Sequence, residues 1–285
     1  MRERIAEAGW LVLDTADGFE LKPKPPYDVV DSLAMLPDNS AAPGVRRATV
    51  SVVIDGWPDD ARTCLDALLR YTPDDVVVLA LDLGNVDGAG DAVHEFSGPR
   101  LEEWHLLTPL TNWAASRTAL LRADVARVHV WCDLSTVLAG DALTPLLDAI
   151  DNDDNVVAAG WRGVNVDLDD EWRSFTDADP GDVDAILGYL FAFRRAAGLK
   201  AGGPHAKARF YRNADIEFSF ALREAAGAGA RLVVPSAELP VEQGRHHGYY
   251  DSDPAYRDAE SAKTYNRFLQ RFRGKKDLLA PRSPS

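Results

Sequence analysis

The sequence predicts an α/β domain with a mostly parallel sheet flanked by helices. Three observations carry this. TVSVVI, from Thr49, and DVVVLAL, from Asp75, are unbroken apolar, β-branched-rich runs, the pattern of strands covered on both faces. Between them, ARTCLDALLR puts Cys64, Leu65, Leu68 and Leu69 at helical spacing. Asp55, Asp82 and Asp133 each stand just after a buried run, at the carboxyl end of a strand, where open parallel sheets bind ligands.

The elements follow in order. Residues 1–46 form an N-terminal annex. In it GWLVLD and FELKP predict a hairpin around Asp17-Gly18, a favoured turn pair. PKPPY and PDNSAAPG are turn-rich and linker-like, so a boundary is placed near Arg46. Residues 47–250 form the main domain. After the second strand, LGNVDGAGD is a glycine-rich turn and DAVHEF restarts a helix. EWHLL reads as a strand, NWAASRTALLRA as a helix with Asn112 as N-cap, and VHVWC as a strand. DALTPLLDAI is a helix with Asp141 early in its first turn, and NVVAAGW a strand. Strands alternating with helices imply βαβ units. Beyond Trp161 an acidic, turn-rich stretch leads to AILGYLFAFRR, apolar and then doubly basic. RNADIEFSFALREAAGAG is a helix closed by glycine, and RLVVP a short strand. Residues 251–285 hold a basic amphipathic helix, SAKTYNRFLQRFRGKK.

The 285 residues suffice for a sizeable core. A formal net charge of -14 repels phosphate backbones, which argues against nucleic acid as a partner. The two cysteines, Cys64 and Cys132, form no zinc spacing or disulfide framework, so a reducing, cytoplasmic setting is expected. MRERIAEAGW has no apolar signal core, and no run approaches the ~18 apolar residues of a membrane span. A nicotinamide-dinucleotide enzyme is disfavoured, because no GxGxxG follows the first strand.

ATVSVVIDGW…LDALLRYTPDDVVVLALDLGNVDGAGDAV resembles the opening of family 2 glycosyltransferases of GT-A (Rossmann-like) fold. Asp82-Leu83-Gly84-Asn85-Val86-Asp87-Gly88 matches the family's second element at its Asp, Gly and Asp-Gly positions and departs at Leu83. Asp55-Gly56-Trp57 replaces the usual Pro-Thr-Tyr. The resemblance implies that Asp55, Trp57 and Asp82 neighbour the nucleotide base. NWAASRTALLRADVARVHVWCDLSTVL is similar to the helix and strand leading to the family's Asp-x-Asp, with Asp133 first and Ser135 second, a variant similar to that of some bacterial members. Arg117, on that helix, joins the donor-side set. GYLFAFRR, including Gly188 and Tyr189, resembles the acceptor-side segment; its other reading is a buried strand with a surface Arg pair. In FYRNADIEFSFALREAAGAGARLVV, Asp215 takes the place of the catalytic aspartate, Ala214 replaces the preceding Glu, and Glu217 supplies a second acid on the acceptor side. Their other reading is an acidic first turn that complements the helix dipole. GRHHGYY resembles the family's His-Gly segment.

By this resemblance the chain is an inverting transferase. It moves a sugar from a nucleoside-diphosphate sugar to a hydroxyl of a glycan, lipid-linked or small-molecule acceptor, with Asp215 as base. The diphosphate charge has two candidate partners. One is a divalent cation (Mg²⁺ or Mn²⁺) held by Asp133 with His246 or His247; Ser135, a poorer ligand than a carboxylate, weighs against it. The other is Arg245 with the histidines themselves. Ser135, Ala214 and Asp55-Gly56 also fit a different class, a catalytically silent relative that binds a nucleotide sugar or a protein partner. The C-terminal helix has two readings: peripheral contact with the inner membrane face, or packing of its apolar stripe on the domain.

Overall fold

The computed structural model describes residues 5, 7–15, 17–110, 112–235 and 238–282. The hairpin forms as expected: β1 (Trp10–Thr15) pairs antiparallel with β2 (Gly18–Pro23). Next come β3 (Val29–Val30), β4 (Arg46–Ile54), α1 (Pro58–Tyr71) and β5 (Val76–Asp82). A 3₁₀ turn over the glycine-rich segment leads into α2 (Ala89–His94), β6 (Leu101–Leu106), α3 (Trp113–Ala123) and β7 (Ala126–Cys132). Then follow β8 (Thr136–Leu138), α4 (Leu143–Asp151), β9 (Val156–Gly160), β10 (Gly163–Val166), β11 (Phe175–Asp177), β12 (Gly181–Asp182), β13 (Ala185–Ile186) and β14 (Leu190–Arg194). The chain continues with α5 (Arg195–Ala201), α6 (Ala214–Ala226), β15 (Arg231–Val234), β16 (Val241–Gln243), a short α7 (His247–Tyr250) and α8 (Pro254–Phe272).

The main sheet runs β12, β15, β9, β14, β7, β4, β5, β6, β3. From β7 to β3 every pairing is parallel, whereas β14 is antiparallel to both of its neighbours. The unbroken apolar runs are explained by burial: β4, β5 and β7 lie between helical layers, and Val50, Val52, Val78, Ala80 and Val130 are fully covered. Trp131 faces the other layer, stacked on Phe218 of α6 and edge-on to Phe191 and Phe193 of β14. Although β3 belongs to the first 46 residues, it extends the main sheet through Val29 opposite His105.

Three local expectations meet the structure. Asn112 caps α3, its side chain accepting from the Ala115 N–H at 3.1 Å. Asp141 needs correction. It lies before α4 and accepts from the Leu143 and Thr144 N–H groups, filling donors that a helix start leaves free. The basic pair also needs correction, because neither arginine is a free surface charge. Arg194 donates to the Val156, Ile150 and Asp153 carbonyls, and buried Arg195 donates to the Asn39 and Ala42 carbonyls. Arg194 thus holds the end of α4 to the start of β9, and Arg195 holds the 39–42 turn to the domain.

The apolar stripe of α8 faces inward. Phe268 and Phe272 are buried against Phe220 of α6, beside Trp172. Its basic side chains pair within the chain: Arg267 with Glu217, Arg271 and Lys275 with Glu224, Arg273 with Glu171, and Lys263 with Glu260. Among the described residues, no helix is long and apolar enough to cross a membrane.

Candidate active site

Because β4 and β7 are parallel neighbours, with Val52 opposite Cys132, the residues that follow them emerge side by side. These are Asp55 and Asp133. They face a cleft walled by Trp57 and Asp60 at the start of α1, Trp113 and Arg117 of α3, Ser135, Tyr211, and the segment Arg245 to Gly248. The cleft continues into a recess lined by Gly188, Tyr189, Arg212, Asn213 and Asp215, with Trp113, Asp133, Tyr211 and His246 common to both parts. Residues far apart in sequence thus share one depression.

Asp133 is held in a fixed pose. Its backbone N–H donates to the Tyr189 carbonyl at 2.9 Å. Its Oδ1 accepts from the Ser135 N–H at 2.9 Å and from the Ser135 hydroxyl at 2.5 Å. Its Oδ2 faces His246 Nε2 at 3.7 Å. Ser135 is itself buried, so its hydroxyl serves Asp133 rather than standing as a second ligand. Arg117 lies under both carboxylates, donating to the Ser51 and Cys132 carbonyls at 3.0 Å each, with its guanidinium near the Trp131 ring. Burial lowers its pKa, and the charges of Asp133 and Asp55 oppose that shift. Asp55 keeps a face open to water while protein crowds its other sides. That crowding and the charge of Asp133 push its pKa up to about 6, against the pull of Arg117 and His246.

Asp215 lies in the first turn of α6. Its Oδ2 accepts from the Gly188 N–H and its Oδ1 from the Ile216 N–H, both at 2.8 Å. These bonds and His246 favour the carboxylate, but burial outweighs them and raises its pKa to about 6. A Cβ at Gly188 would sit 3.4 Å from Asp215 Cβ, in van der Waals contact with the carboxylate that the Gly188 N–H binds.

The two histidines part company. The His246 ring stacks on Tyr211 at 4.4 Å, with its Nε2 toward Asp133. His247 has both ring nitrogens engaged, Nε2 with Asp60 at 3.2 Å and Nδ1 with Asp251 at 2.5 Å, and its ring stacks on Trp57. His247 therefore walls the cleft without offering a ligand atom to Asp133. Arg245 lines the cleft, but Asp251 at 2.7 Å shares its charge.

Two sequence-predicted residues lie elsewhere. Glu217 is buried and faces α8, where it takes Arg267 in a two-pronged pair at 2.6 and 2.5 Å. One residue step on a helix turns a side chain by about 100°, so Asp215 and Glu217 point to different neighbours. Asp82 emerges on the far side of β4. It accepts from the Asn85 N–H, contacts His105 Nδ1 at 3.2 Å, and lines a separate recess with Tyr27 and Lys22.

Tyr211, Trp113 and Asp60 escaped sequence reasoning, although each lines the cleft. The aromatic pair before Arg212 and Asn213 was the only sequence signal for Tyr211. Burial and the charge of Asp133 lift its hydroxyl above the usual phenol range.

No protein-family model and no curated protein matches the chain. Many solved structures are similar in fold, and two serve as examples. One is GalNAc-T7 with UDP, GalNAc and Mn²⁺, at a TM-score of 0.60 and 14% identity over 79% of this chain and 48% of that one. The other is the mannosyltransferase PcManGT from Pyrobaculum calidifontis in complex with GDP-Man and Mn²⁺, at a TM-score of 0.57 and 21% identity over 92% of this chain and 70% of that one. The chain thus spans about half the length of the first. What it shares with both is a GT-A-type α/β fold, a mostly parallel sheet flanked by helices.

Proposed function

We propose that the protein is an inverting, family 2-like glycosyltransferase that moves a sugar from a nucleoside-diphosphate donor to an acceptor hydroxyl. One observation carries the proposal. Asp215, with a pKa near 6, opens into the same depression as Asp133, so a base and an anchoring carboxylate face one bound molecule. The fold shared with enzymes crystallised with UDP or GDP-Man and Mn²⁺ supports the donor class.

The donor would lie between Trp57 and Asp55 on one side and Arg245 and His246 on the other. The Asp215 carboxylate takes the acceptor hydroxyl proton as that oxygen attacks the anomeric carbon from the face opposite the leaving diphosphate. Asp133 Oδ2 and His246 Nε2, 3.7 Å apart, give one oxygen and one nitrogen ligand, a donor set that can hold a divalent transition-metal ion. Asp133 and His246 would hold such an ion, which would offset diphosphate charge. Gly188 and Tyr189 beside Asp215 form the acceptor side, where a glycan or lipid-linked glycan would bind. Buried free Cys64 and Cys132 support a reducing, cytoplasmic setting.

The test is calorimetric titration with UDP and with GDP, each with and without Mn²⁺, followed by turnover assays of the matching sugar nucleotides. Asp215→Asn is expected to keep nucleotide binding and lower transfer by about 10²–10⁴-fold. Binding without turnover against any acceptor would instead support a silent nucleotide-sugar-binding relative. Absence of binding would overturn both readings.

A further inference from the structure

We propose that His94, Glu103 and His105 form a second metal site, for a Zn²⁺-class ion, that shares no lining residue with the cleft and is independent of its function. The local structure builds the cluster. Glu103 and His105 are two apart on β6, so both side chains rise from one face of the sheet. His94 ends α2 over the same face. Candidate ligand atoms of the three residues all lie within 4.8 Å of one another. His94 Nδ1 is 3.2 Å from Glu103 Oε1, and His105 Nε2 is 3.2 Å from Glu103 Oε2.

A second observation points to a cation. His105 is 1% exposed and its Nδ1 faces Asp82 Oδ2 at 3.2 Å. With Nδ1–H donated to Asp82, the neutral ring presents Nε2 as an acceptor. His105 Nε2 lies 3.2 Å from Glu103 Oε2, yet both atoms are buried and, among the described residues, make no hydrogen bond with each other or with any other group. Two buried acceptors at this spacing repel unless a proton or a metal ion lies between them. Their 3.2 Å separation approximates the ~3.3 Å edge of a tetrahedron with Zn–N and Zn–O bonds of about 2.0–2.1 Å. Two imidazoles and one carboxylate suit Zn²⁺, whereas Mg²⁺ and Ca²⁺ prefer oxygen alone. Asp82 is the carboxylate that orients a metal-binding histidine from behind. Tyr27, from the N-terminal segment, stacks on His105 at 3.9 Å and covers the site. The ion would tie the end of α2 to β6.

The test uses the full chain, stripped of metal and titrated with Zn²⁺ alone by calorimetry. Asp133→Ala serves as background to remove uptake at the cleft. One equivalent of Zn²⁺ is expected, with a higher unfolding midpoint. Co²⁺ in its place is expected to show the intense visible absorption of a tetrahedral centre. His94→Ala, a half-buried position at a helix end that leaves the core intact, is expected to weaken Zn²⁺ by more than about 100-fold, and Asp82→Asn by about 10–100-fold. No uptake by the Asp133→Ala chain would overturn the proposal and leave His105 as an imidazolium between two carboxylates. Uptake unchanged by His94→Ala and by His105→Ala would overturn it equally.

Discussion

Single residues decide the chemistry through their surroundings. Asp215 and Asp55 are both pushed to about 6, Asp215 by burial and Asp55 by the protein crowding its inner side together with the charge of Asp133. A base works only when ionised, so transfer is expected to rise with pH and level off above about pH 6; a kcat/KM profile checks this. The same shift has a stability sign. A carboxyl whose folded pKa exceeds its unfolded value stabilises the fold fully below about pH 4, and that contribution is lost as pH rises through about 6. Asp215→Asn, which removes the cost of ionisation, is therefore expected to raise the thermal midpoint at pH 8 relative to the parent, and to change it little at pH 4. Ser135 was legible as a departure from a carboxylate motif, but its task was not. Its hydroxyl fixes one oxygen of Asp133 and leaves the other toward His246. Ser135→Ala is expected to weaken nucleotide binding by about 10–100-fold through loss of a hydrogen bond to a charged group, worth about 1.5–3 kcal/mol, and titration calorimetry would show it.

Helix α6 shows what an element adds beyond its residues. Its first turn offers Asp215 to the cleft, while Glu217, further round, anchors α8 through Arg267. An acidic first turn was visible in the sequence, but periodicity alone does not say which acid meets a substrate and which meets another helix. Arg267→Ala would leave Glu217 buried without its partner and is expected to destabilise the chain by about 3–5 kcal/mol, measured by urea unfolding. Helix α8 was legible as basic and amphipathic. Its cations, however, pair with Glu217, Glu224, Glu171 and Glu260 of the same chain. Binding to anionic vesicles is accordingly expected to be weak at physiological salt, and co-sedimentation checks this.

At the scale of the whole molecule, strand order sorts the acidic strand ends. All three follow parallel strands, and in sequence they look equivalent. Since β4 lies between β7 and β5, Asp55 and Asp133 meet on one side, while Asp82 falls toward β6 and His105. A buried chain of Asp124, His129 and Ser51 makes the same point. Its contacts of 2.7 and 3.0 Å resemble those of a nucleophilic triad, yet no substrate reaches residues that are 0–2% exposed, so the chain serves packing.

By itself the sequence determined the α/β class, most of the strands and helices, the Asn112 cap, the hairpin, and Asp133 and Asp215 as the residues to watch. The elements were legible because burial on both faces, helical spacing and turn chemistry are local and written in adjacent residues, whereas Asp133 and Asp215 were singled out by the family resemblance of the segments that carry them. Only the tertiary structure decided that Asp82 and Glu217 leave the cleft, that His247 is held by two carboxylates, and that Tyr211 joins His246 over Asp133. It also decided that His94, Glu103 and His105 converge. Those outcomes depend on which strands lie side by side and which helix packs on which face, and such pairings are set by the energy of the whole core rather than by any neighbouring residue.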